Sequence, residues 1–163
     1  MSKKSQNIAL MEKLLMHLKN AKLEYLKASD HVNYSEEKRF FNQQALIRNR
    51  FFQDVLSELQ ALGVTFDDLI ISRFNFDQLL VSTIDTLKAT AVEKCLEADK
   101  VLFKLYKEFI DLGENKNSEL IGHSSIIQNA INKNQVLVDS YFSNKQIIKV
   151  MGTKNTTLTQ MIR

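Results

Sequence analysis

The sequence predicts an all-α protein, a bundle of four long helices, and three observations predict it. No proline and only four glycines stand in 163 residues, so the chain lacks the punctuation of a β-sandwich or a barrel with many turns. Four stretches carry apolar side chains at alternating spacings of four and three, the seam of helices packed lengthwise. One of them, Phe41–Leu62, would span about 33 Å at roughly 1.5 Å per residue and needs partners of similar length, which the other three supply.

The first helix is expected over about Ser5 to Val32, with Met11, Leu14, Leu18, Ala21, Tyr25, Ala28 and Val32 on its seam. His31 falls in its last turn, where the helix dipole favours an imidazolium, a structural role rather than a catalytic one. A short break at Asn33–Tyr34 turns the chain back. Ser35 is the expected N-cap of the second helix, with Glu36 and Glu37 in its positively polarised first turn. The second seam runs Phe41, Ala45, Arg48, Phe52, Val55, Leu59 and Leu62, and Gly63 closes the helix in the left-handed conformation.

From about 63 to 90 the pattern changes. Val64 to Phe76 mixes apolar and acidic residues and Asp77 to Leu87 reads as a shorter helix, so the stretch is a crossover long enough to start the third helix beside the start of the second. The third seam is Ala91, Cys95, Ala98, Leu102, Leu105, Phe109 and Leu112, closed by Gly113. Cys95 within it reads as a buried, inert thiol. The fourth helix should return from near Ser118 with the most polar seam of the four: Leu120, Ser124, Ile127, Ile131, Asn134, Val138 and Tyr141. This layout places a four-helix domain over 1–143 and a helix extension with a flexible tail over 144–163, the tail beginning at about Gly152.

Composition narrows the class of function. The hydrophobic fraction of 44% and charged fraction of 25% are ordinary for a globular chain. No run approaches the uninterrupted apolar length that a membrane span requires. A net charge of +3, with both signs interspersed, argues against nucleic acid as the partner. A single cysteine and an N-terminus, MSKKSQNIALMEKLL, whose charges interrupt its apolar residues point to the reducing cytoplasm. No glycine-rich phosphate loop, paired cysteine motif or nucleophilic serine elbow is present, so no catalytic residue is assigned. His17, with Lys13 and Lys19 nearby, suggests a phosphotransfer helix only superficially, because the glycine expected one turn later is absent. Phe40, Phe41, Phe51 and Phe52 have helical spacing, which suits packing better than stacking on bases.

Two helical hairpins joined by a long crossover resemble the ferritin-like superfamily, and more narrowly a small bacterial subfamily of uncharacterised, stress-associated ferritin-like proteins. The segments that carry the resemblance are AKLEYLKAS, ALIRNRFFQDVLSELQALG and EADKVLFKLYKEFI, within roughly Ile8 to Phe142. The resemblance implies a dinuclear site built from a glutamate on each of two helices and a Glu-x-x-His on each of the other two. Here no glutamate is followed by histidine three positions later, and the only histidines, His17, His31 and His123, fall outside the expected central layer. Glu24 is the nearest match to an inherited ligand, on what reads as a half-exposed flank. The expected function is therefore a non-catalytic bundle with a degenerate metal site and no cofactor, an interaction or stress-associated protein, homodimeric, with Phe40 and Phe51 broadening the face for a subunit contact. The alternative is an iron or manganese oxidase or storage protein with an unorthodox site drawing on Glu24, Asp99, Gln135 or their neighbours.

Arg48 is the residue on which the expectation is most specific. Counting along parallel middle helices from Phe41 and Ala91, seven residues bring the second helix to Arg48 and the third to Ala98, so Asp99 lies alongside. A buried guanidinium demands a carboxylate, and the expected partner is Asp99 or Glu24, with Asn134 and Gln135 as further interior polar groups. The alternative is that Arg48 reaches out to solvent between helices.

Overall fold

The computed structural model describes residues 2–69, 90–113 and 118–154. Four α-helices run through them: α1 over Lys3–His31, α2 over Ser35–Ala61, α3 over Ala91–Asp111 and α4 over Ser118–Lys154. A single 3₁₀ turn, Phe66–Asp68, follows α2, and no strand occurs among the described residues. The shorter helix expected over Asp77 to Leu87 lies outside the described residues, as do 155–163 of the expected tail.

The helix ends follow from local chemistry. Ser2 caps α1, its hydroxyl accepting from the Ser5 N–H at 3.2 Å, and Thr90 caps α3 by accepting from the Glu93 N–H at 3.2 Å. Ser35, expected as a cap, is instead the first helical residue of α2; the capping position falls to Tyr34, whose extended backbone gives no side-chain bond. Glu36 and Glu37 remain in the first turn, where their charge offsets the exposed N–H groups. Gly63 and Gly113 terminate α2 and α3 with φ of 87° and 73°, a region other residues enter only under strain. α4 carries through Gly152 to Lys154, beyond the boundary at which fraying was expected, because one glycine weakens a helix by about 1 kcal/mol without breaking it.

Burial shows how the helices use these seams. α1 packs along both α2 and α3, and α4 packs along α3 while touching α2 more sparsely. With two full-length neighbours α1 buries a broad face, so Leu15, Asn20 and Glu24 are covered as well as its seam. That is why Glu24, on a flank by sequence, is inside. In α2 the buried positions after Arg48 are Phe51, Val55 and Leu59, while Phe52 is only half-buried, since a straight helix drifts from a strict seven-residue repeat. Phe51, 4% exposed, therefore belongs to the core and is closed to a partner subunit.

The apolar interior falls into two clusters. The larger gathers residues such as Leu14, Leu18, Val55, Leu59, Leu102, Phe109 and Ile127, and receives Leu69 from the segment after the 3₁₀ turn. The smaller holds Tyr25, Ala28, Phe41, Ala45 and Cys95, with Phe40 packed against it. Lys133 of α4 lies over the Phe40 ring, 4.1 Å from its centroid, and adds a cation–π contact at that end.

Candidate functional site

Where the clusters meet, all four helices contribute to one polar layer. Arg48 and Asp99 are both fully buried. The guanidinium meets the carboxylate in fork geometry, Nε donating to Oδ1 at 3.1 Å and Nη2 to Oδ2 at 2.8 Å. Nη1 donates to Oε1 of Gln44, one turn earlier on α2, at 2.9 Å. Tyr25 of α1 donates its hydroxyl proton to Asp99 Oδ2 and accepts from Asn134 Nδ2 of α4 at 2.7 Å. The Arg48 guanidinium also stands 5.0 Å from the centroid of the Tyr25 ring.

Because the Tyr25 hydroxyl has one proton and gives it to a carboxylate, Asn134 must be the donor on its other side. The layer is thus a directed chain, amide to phenol to carboxylate, each bond polarising the next. Burial, the largest influence, would by itself lower the Arg48 pKa, but the charge and hydrogen bonds of Asp99 together with Tyr25 and Tyr106 outweigh it and raise the pKa, so the cation is held firmly. Burial, reinforced by Asp99, pushes the Tyr25 phenol far up and out of reach of ionisation. The Cys95 thiol is raised well above its ordinary value, by burial first and then by Asp99 and Glu24, which leaves it a poor nucleophile.

The remaining residues expected in the interior are placed differently. Glu24 is buried next to Tyr25, with Oε1 3.6 Å from Lys27 Nζ. Gln135 is not an interior group: its side chain donates to Asp139 Oδ1 at 3.0 Å on the surface of α4. The reason is angular, since one residue after Asn134 the helix has turned by about 100°.

A second polar layer lies about two turns further along α2 and α3, and there His123, outside the Arg48 layer, is buried. Its Nε2 lies 3.0 Å from Asp54 Oδ2 and its Nδ1 lies 2.9 Å from the Tyr106 hydroxyl. A carboxylate only accepts, so the neutral ring carries its proton on Nε2 and takes the Tyr106 proton at Nδ1. Phe51 stacks on the ring at a centroid distance of 3.7 Å and an interplanar angle of 13°. Burial lowers the His123 pKa despite the opposing pull of Asp54, which is 33% exposed. Burial likewise raises the Tyr106 phenol strongly. His17, half-buried on α1, is lowered by burial and then by Lys13.

A metal does not fit the central layer. Both oxygens of Asp99 already accept strong donors, and the Arg48 guanidinium occupies the space and supplies the charge beside them. Among the described residues no group of three or more His, Cys, Asp and Glu side chains converges to hold an ion. No described helix is long and apolar enough to cross a membrane. No protein-family model matches the chain, and neither a curated protein nor a solved structure matches it.

Proposed function

We propose that this protein is a non-catalytic four-helix bundle of ferritin-like layout, cytoplasmic, in which an internal ion pair stands where metal-holding bundles of that type place their carboxylates. It acts by binding other molecules rather than by turning a substrate over. The observation that carries this reading is the closed bonding of Asp99, whose two oxygens are used by Arg48 and Tyr25. A carboxylate so engaged is a poor first ligand for a divalent ion, which would have to displace a buried cation.

The levels of the two polar layers support the ferritin-like path of the chain. From the first layer to the second, numbering rises from Arg48 to Asp54 in α2 and from Asp99 to Tyr106 in α3, and falls from Asn134 to His123 in α4. Lys22 opposite Asn49 and Tyr25 opposite Phe41 set α1 against α2 in the opposite sense. Two antiparallel hairpins with parallel middle helices have these directions. The homodimer belongs to the same proposal, with exposed apolar side chains such as Leu46 and Val136, 68% and 64% accessible, as its support, and so does the stress-associated role that the resemblance implies.

Elemental analysis of protein purified without chelator tests the central point. Iron, manganese and zinc are expected far below one per chain, with thermal stability unchanged by a chelator. Near-stoichiometric iron or manganese would replace this reading by that of an oxidase or storage protein drawing on Glu24 and Asp99. Light scattering tests the oligomer, and a strict monomer at high concentration removes it.

A further inference from the structure

α4 begins on a weak stretch of helix. Gly122, Ser124 and Ser125 are poor helix formers. The Ser124 hydroxyl also donates to the Ile121 carbonyl at 2.7 Å, offering that carbonyl an alternative to its helical bond. Leu120 and Ile127 are buried in the larger apolar cluster, yet α4 touches α2 only sparsely. On that side the hold passes through His123. Its ring stacks on Phe51 of α2, its Nε2–H donates to Asp54 of α2, and its Nδ1 accepts from the Tyr106 hydroxyl of α3. One neutral side chain thus fastens the start of α4 to two other helices.

We propose that His123 is a proton-operated latch: taking up a proton releases the turns of α4 from Ser118 to about Ile127 while the rest of the bundle stays folded. The neutral ring suits both polar neighbours, with a donor for the carboxylate and an acceptor for the phenol. The imidazolium carries two donors, so Nδ1–H points at the Tyr106 oxygen 2.9 Å away. That oxygen can accept only if the phenol turns its own proton elsewhere, and Tyr106 is fully buried. Asp54 opposes release, since it pairs better with a cation, but a third of its side chain lies in water, which screens the pair. Glu58, one turn beyond Asp54 in α2, and Glu119, one turn before His123 in α4, stand on the same helix faces. Arg48 acts on Tyr106 from the other layer, and among the described residues no charge of α1 bears on the ring. Burial decides the balance: the folded ring resists a proton that the released ring accepts near its ordinary value of 6.5. Release uncovers the Phe51 ring with the Tyr106 hydroxyl beside it. The latch goes beyond the metal-free reading of the bundle and does not rest on it.

Amide hydrogen exchange of the full-length protein at pH 7.5 and pH 5, corrected for the intrinsic exchange rate, tests this. At pH 7.5 the amides of Leu120–Ile127 should open at least about tenfold more often than those of Leu14–Ala21 in α1, as a separate local unit does. At pH 5 their opening should rise by about tenfold or more, with a ceiling of about thirtyfold that one histidine of ordinary value 6.5 sets. His123→Gln should abolish the rise. Tyr106→Phe, which removes the proton that Nδ1–H would confront, should shrink it while leaving His123 in place. Opening of Leu120–Ile127 no more frequent than that of Leu14–Ala21 at both pH values overturns the proposal, because the bundle would then open only as a whole. A flat response to acid, or a rise that persists in His123→Gln, overturns it too.

Discussion

The two polar layers bury their groups in opposite ways. Around Arg48 full charges are taken out of water and cancelled in place, with a phenol and two amides satisfying most of what remains. Around His123 the interior stays neutral, and its carboxylate partner, Asp54, keeps a third of its side chain in solvent. The first arrangement gains geometric definition at the risk of a severe penalty if one partner is lost. The second carries little such risk and acquires a dependence on pH. One layer ties four helices together and the other three, so the difference also sets where the bundle is hardest to loosen.

Breaking the charged layer should produce the largest effect. Arg48→Ala leaves the Asp99 carboxyl buried without its cation and held by Tyr25 alone, and Asp99→Asn leaves the guanidinium without a counter-charge. Each should lower stability by about 3–5 kcal/mol in guanidinium denaturation. The double replacement Arg48→Met with Asp99→Leu should recover most of the loss, since a well-packed apolar pair can stand in for a buried ion pair. Single effects that simply add, with coupling below about 0.5 kcal/mol, would show that the pair is not formed.

Tyr25→Phe probes the same layer more gently. It keeps the ring against Phe41 but removes the donor to Asp99 and the acceptor for Asn134, whose Oδ1 is already buried without a protein donor. A loss of about 1–3 kcal/mol is expected in urea denaturation at neutral pH, because two buried groups lose a partner at once. Tyr106→Phe is the matching change in the second layer. Only a neutral ring nitrogen loses its donor there, so the cost should be about 1 kcal/mol. Equal losses for the two substitutions would erase the distinction drawn between the layers.

Much of this arrangement was legible in the sequence, and the limits have physical causes. Arg48 stands out because a charge interrupts an otherwise apolar seam, and Asp99 because its register along α3 matches; the structure places both at the centre and adjacent. Asn134 was visible for the same reason. Tyr25 reads as one more apolar seam residue, since nothing local reveals that its hydroxyl meets carboxylate and amide on two other helices. Gln44 could have been found, being one turn before Arg48 on the same face. His123 sits one residue from the Ser124 seam position, and only the packing of Phe51 and Tyr106 against it makes that place interior. The position of Phe51 in turn rests on a drift of α2 that a fixed repeat hides.

The smallest effect separates the layers by protons. Burial lowers the folded-state pKa of His123 below the ordinary value of 6.5, and that of His17 as well, so in acid the unfolded chain takes up these protons before the folded one. The unfolded state then binds more protons, and stability rises with pH through that window. The stabilisation is fully present above 6.5 and declines as pH falls from there toward the lowered folded-state values. Protonating His123 would also turn Nδ1 into a donor facing the Tyr106 oxygen, leaving the phenol proton to seek another acceptor in a buried place. Arg48 stays charged across the whole range, so its layer adds no slope of its own from the guanidinium. Denaturation midpoints measured between pH 8 and pH 5 should therefore fall with acid in the native protein. They should fall less in His123→Gln and less again when His17→Gln is added. A slope that His123→Gln leaves unchanged would mean that the ring is protonated as easily inside the bundle as outside, and the neutral, proton-accepting Nδ1 assigned here would have to be abandoned.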